Sequence, residues 1–146
     1  MTTPNKTAIA LLAVSSLMAA PALSQDNLAF LGTSMFGEYE VGGQGAGEEA
    51  SGDFSAELDL DSGQICYMLE LDGIEDFAAA HIHKAPAGEN GPPVMTLELM
   101  GPEGDDVCTQ ADVELLKDIA KNKADYYVNV HTTAFPAGAI RGQLGQ

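Results

Sequence analysis

Three histidines are present in the 146 residues, His81, His83 and His131, and their spacing is the chain's clearest chemical signal. His81 and His83 are two apart, so on a strand both rings leave the same face, while Ile82 points to the other. In the run Tyr126–Thr132, Val128 and Val130 are core candidates, which places Tyr127, Asn129 and His131 on the opposite face. If the two strands are neighbours, three imidazoles converge outside the core. Three neutral imidazoles with an open coordination position suit copper or zinc. If the following turn centres on Pro136, His131 falls opposite Arg141 and Asn129 opposite Gln143. Arg141 would then guide a small anion to the metal position, with Lys84, next to His83, adding to a local positive spot. Tyr127 and Asn129 would support the ligands from behind. The competing reading is plain surface: histidines bonded to carbonyls, and Arg141 paired with a carboxylate.

The surrounding elements are mostly period two. Phe54, Ala56, Leu58 and Leu60 alternate with polar residues, then Asp61-Ser62-Gly63 turns the chain, and Ile65, Tyr67, Leu69 and Leu71 alternate again. Residues 53–72 therefore read as a hairpin. One or two strands are expected within 29–41, and further strands at 78–83, at 94–100 with Met95, Leu97 and Leu99 on one face, at 126–132 and at 139–144. Residues 42–52 and 84–93 read as loops. One helix is expected at about 110–121, with Thr109 as N-cap, Asp112 three residues on, and Val113, Leu116, Ile119 and Ala120 at helical spacing. About seven short strands and one helix imply an antiparallel β-sandwich with a helical crossover.

Composition narrows the function classes. Twenty-two acidic against six basic residues give a formal charge of -16, which excludes a non-specific nucleic-acid binder or a protein held on anionic membranes. Lys6, the apolar run Thr7–Ala20 and a small-residue site read as a cleaved signal peptide over residues 1–24, cut before Gln25 or alternatively after Ala22. The apolar run is shorter than the ~20 residues a membrane span needs, and no cysteine follows the cut to carry a lipid anchor. Export to the periplasm or the medium favours a disulfide between Cys66 and Cys108, worth on the order of 3–4 kcal/mol. A thiolate metal ligand is the alternative, but neither cysteine lies in a Cys-x-x-Cys pair. An EF-hand reading of Asp59–Glu70 fails on the missing glycine at its sixth position. The glycines at 43, 45 and 47 are followed by no phosphate-loop Lys-Ser/Thr.

Several segments resemble one family: Gly63-Gln-Ile-Cys66-Tyr67, Ala80-His81-Ile82-His83, Leu115-Leu116-x-Asp118-Ile119, and above all Tyr126-Tyr127-Val128-Asn129-Val130-His131-Thr132 through Pro136-x-Gly138-x-Ile140-Arg141-Gly142-Gln143-Leu144. The chain is similar to the CHRD (chordin) domain over roughly residues 29–145, as a single exported domain of residues 25–146. Val41-Gly42-Gly43 departs from that family's more usual Val-Pro-Pro. The resemblance implies an all-β, immunoglobulin-like Greek-key sandwich, similar to Cu/Zn superoxide dismutase, whose copper ligands also include a His-x-His strand. Three histidines cannot furnish both metal sites of that enzyme, but a mononuclear copper site of His81, His83 and His131 is compatible with the sequence.

Two functions follow. One is a copper binder, carrier or copper-dependent oxidoreductase acting on a small oxygen species, with zinc, or a haem on one histidine, ranked behind copper. The other is a non-catalytic module that binds a protein partner or matrix, as chordin's own role implies, with incidental histidines.

Overall fold

The computed structural model describes residues 27–43, 45–99 and 106–145. The proposed leader, residues 1–24, lies outside them, and among the described residues no helix is long and apolar enough to cross a membrane. Among the described residues eight strands follow in order: β1 (Leu28–Phe36), β2 (Ser51–Asp59), β3 (Gln64–Asp72), β4 (Phe77–Lys84), β5 (Pro93–Leu97), β6 (Val107–Gln110), then helix α1 (Val113–Lys121), β7 (Tyr126–Thr132) and β8 (Ile140–Gln143). Every pairing is antiparallel, in the order β5-β4-β7-β8-β1-β2-β3-β6. The two halves, β5-β4-β7-β8 and β1-β2-β3-β6, join through the pair Phe36–Arg141. They curl so that their inner faces meet, and the chain crosses between halves after β3, β5 and β6, as in a Greek-key sandwich.

Alternation drives the packing. In β2 the buried residues Phe54, Ala56 and Leu58 strictly alternate with exposed ones. They meet Ile65, Tyr67 and Leu69 of β3 and Ile82, Val128, Val130 and Ile140 of the other half in one core. Tyr67 ties the halves: its buried hydroxyl accepts from the Glu98 backbone N–H at 2.7 Å. Because that N–H turns to Tyr67, β5 ends at Leu97 rather than Met100, and Leu99 is exposed; Met100 itself is outside the described residues. Cys66 and Cys108 are cross-strand partners in β3 and β6 and form the disulfide.

Of the one or two strands expected within residues 29–41, one forms, β1, followed by a short 3-10 turn at Gly37–Tyr39. Two sequence expectations need correction. Gly52, expected in a loop, lies within β2. The helix starts later than expected, because Thr109 belongs to β6; Asp112 is the N-cap, and its carboxylate accepts from the Leu115 N–H at 3.0 Å. The helix buries Leu116 and Ile119 in the core.

Asp118 of this helix clamps the two histidine-bearing strands. Its carboxylate accepts from Lys84 Nζ of β4 at 2.6 Å, from the Tyr126 hydroxyl of β7, and from Asn122 Nδ2 at 2.6 Å. These bonds, the lysine's first, hold its acid well below the ordinary aspartate range. A depressed folded-state pKa gives stability that is present above about pH 4 and lost as pH falls further. We expect Asp118→Asn to lower the melting temperature at pH 7 and to flatten its decline below pH 4, read by circular dichroism; an unchanged acid limb would contradict the clamp.

Candidate metal centre

The site is built on the face of β4 and β7 that turns away from the core. Ala80 and Ile82 of β4 are fully buried in the core, so Ala79, His81 and His83 leave the other side. The register sets Ala79 opposite His131, His81 opposite Asn129 and His83 opposite Tyr127. The three histidines therefore meet as the sequence predicts. Their ring centroids are 5.1 to 5.8 Å apart, and one nitrogen of each ring lies within 4.8 Å of the other two.

His81 Nδ1, His83 Nε2 and His131 Nε2 are buried and, among the described residues, have no hydrogen-bond partner. An unpaired buried polar atom costs about 1–3 kcal/mol, so three pointing at one spot fit a bound cation. The opposite nitrogens explain why these are free. His83 Nδ1 lies 2.8 Å from the Gly91 carbonyl, and His131 Nδ1 lies 3.2 Å from the Pro136 carbonyl. A carbonyl can only accept, so both rings carry their proton on Nδ1 and present a bare lone pair on Nε2, the form a metal needs. Burial pushes the pKa of His83 and His131 below the usual histidine value, with a further push from the neighbouring histidines, and this favours the neutral rings. The cluster can hold a metal ion.

The supporting residues differ from expectation. Tyr127 and Asn129 are on the histidine face as foreseen, yet they are buried, because residues 85–92 fold over that face. The Tyr127 ring stacks on His83 with centroids 4.9 Å apart and planes 14° off parallel. Its hydroxyl accepts from the Gly91 N–H at 3.1 Å. Asn129 donates to the Ile140 carbonyl and to Glu40.

Arg141 is not where the turn argument placed it. Asn129, not His131, pairs with Arg141, and Tyr127 pairs with Gln143. The turn centres on Phe135, one residue earlier than assumed, because the Thr132 hydroxyl accepts from the Phe135 N–H at 3.1 Å. That moves the partner by two residues and so leaves Arg141 on the same face. Its guanidinium lies 3.4 Å from the Tyr127 ring centroid and is almost fully buried. It donates to the carbonyls of Glu89 at 2.8 Å and Pro86 at 3.3 Å and to the side chains of Asn90 and Gln143. Lys84 does not join the histidines either. As the residue next to His83 it leaves the opposite side, where it pairs with Asp118.

Two residues at the site went unseen in the sequence. Gly91 supplies the carbonyl for His83, and a Cβ there would sit 1.9 Å from the Lys84 carbonyl oxygen, so only glycine brings the loop this close. A Gly-Pro-Pro run was the available signal, read only as part of a loop. Glu40 lies against Asn129 in space left by Gly138, where a Cβ would meet its carboxylate at 2.4 Å. Burial raises its pKa above the ordinary glutamate value, against the pull of Asn129 and Arg141. Nothing in its sequence neighbourhood marks it.

The CHRD domain model matches residues 31–144, so the chain belongs to the CHRD domain family. No curated protein and no solved structure matches it.

Replacing Gly91 by alanine is expected to displace the loop carbonyl from His83. Metal affinity should fall by about 10–100-fold, the usual effect of losing a ligand's orienting partner. An unchanged affinity by competitive titration would show that the carbonyl does not orient His83.

Proposed function

We propose that this protein is an exported copper-binding protein whose single metal is held by His81, His83 and His131. The observation that carries this is the convergence of three buried, unpartnered imidazole nitrogens, two of them fixed in the metal-binding tautomer by backbone carbonyls. An all-imidazole set favours copper over zinc by the general order of divalent affinities. It argues against haem, because three nitrogens so close together leave no room for a porphyrin plane between them. Copper in such a site supplies a one-electron centre with an open position for a small oxygen species.

The chain's own residues set the terms. Gly91 and Pro136 hold the protons of His83 and His131 on Nδ1. Tyr127 keeps the His83 ring in plane, and Arg141 and Gln143 fasten residues 85–90 over it. Arg141 acts on an approaching anion only through its field, since its terminal nitrogens already bond the loop. The same positive charge disfavours a proton on His83. The CHRD family and the apolar leader support export to the periplasm or medium, where the disulfide is stable.

Copper titration of the metal-free protein, followed by visible absorption and electron paramagnetic resonance, tests the reading. Tight stoichiometric binding is expected, lost in His83→Ala while circular dichroism stays that of a folded β-protein. Absent binding, or weak binding unaltered by the substitution, would overturn it.

A further inference from the structure

The three imidazoles are held unequally. His83 is fixed three ways: by the Gly91 carbonyl, by the stack on Tyr127, and by burial that leaves it 8% exposed. His131 is fixed by the Pro136 carbonyl. His81 has neither anchor. Its inner Nδ1 is buried, but its outer Nε2 is not, and among the described residues nothing hydrogen-bonds to it. Its ring is contacted edge-on by His83, a partner that is itself a ligand. It is also the histidine that offers Nδ1 where the others offer Nε2.

We propose that His81 is the exchangeable ligand of this site, through which the metal enters and leaves, while His83 and His131 grip it throughout. The inference rests on the metal reading above. It makes the site one for handing a metal on. A ring whose far nitrogen is bonded to the backbone loses little freedom on binding and cannot turn away, whereas an untethered ring gives up that freedom and regains it on leaving. In the transfer step, the metal–Nδ1 bond of His81 breaks as a bond forms to an incoming imidazole or thiolate of an acceptor. The oxidation state does not change, and a thiol acceptor gives up its proton to solvent. The solvent contact of Nε2 places His81 on the side an acceptor can reach.

Two measurements test this. In the metal-free protein, long-range nitrogen-15 NMR of the imidazoles should show His83 and His131 as single Nδ1–H tautomers and His81 as an exchanging mixture. A single locked tautomer for His81 would overturn the inference. Copper uptake is measured in wild type, His81→Ala, His81→Gln and His83→Ala, and transfer from the copper-loaded forms to the chromophoric chelator 4-(2-pyridylazo)resorcinol is followed in wild type and the two His81 variants. Both His81 variants should still take up stoichiometric copper, with affinity lowered and transfer quickened by about 10–100-fold; His83→Ala should take up none. Equal losses from His81 and His83, or transfer rates unchanged by the His81 substitutions, would overturn the inference and leave the copper site standing. No copper uptake by the wild type would overturn both.

Discussion

Everything at the histidine face depends on the register of β4 against β7. Setting His81 opposite Asn129 and Ala79 opposite His131 brings three rings from two strands to one place. A slip of one residue would turn the rings of one strand into the core and bring its valines or isoleucine out, at a cost the core cannot bear. The register is pinned at one end by Asp118, which bonds Lys84 and Tyr126 together, themselves partners in the β4–β7 ladder. It is pinned across its width by Ala80, Ile82, Val128 and Val130, all fully buried. The core thus decides the register, and the register makes the cluster.

Charge and burial explain how such a cluster persists in a chain of formal charge -16. Exposed histidines in so acidic a protein would tend to hold protons, and a protonated imidazole cannot bind a metal. Here the covering residues 85–92 reduce solvent contact, and Arg141 beneath them adds a positive charge close to His83. Both effects favour neutral rings. The half-buried Glu40 works in the other direction from beside Asn129, but its partial burial weakens its own ionisation. The local balance at the site is therefore unlike that of the surface around it.

The faces of the strands were legible in the sequence, because period-two alternation fixes them. The all-β class and the shared face of the three histidines followed from it, while the disulfide followed from the export reading and the count of two cysteines. Register across the last hairpin was not legible: it turns on which residue centres the Thr132–Gly138 turn, and the deciding bond is a side-chain one, Thr132 to Phe135. The placement of Arg141 opposite His131 rested on that register, and the placement of Lys84 beside the histidines treated neighbours in sequence as neighbours in space; neither holds. The start of α1 was misread because Thr109 and Asp112 are both good N-caps, and only the β3–β6 pairing through the two cysteines assigns Thr109 to a strand. Glu40 was invisible because it reaches Asn129 across a separation of 89 residues. Gly91 is near His83 in sequence, but it acts through its backbone carbonyl, which no side-chain pattern announces.

The central claim is that one metal binds where the three free imidazole nitrogens converge. A crystal structure of the protein grown with copper, with anomalous scattering recorded at the copper edge, tests it most directly. The account predicts one strong peak about 2.0–2.1 Å from His81 Nδ1, His83 Nε2 and His131 Nε2, with the Gly91 and Pro136 carbonyl contacts preserved. A peak elsewhere, or none with the three rings still converged, would contradict it.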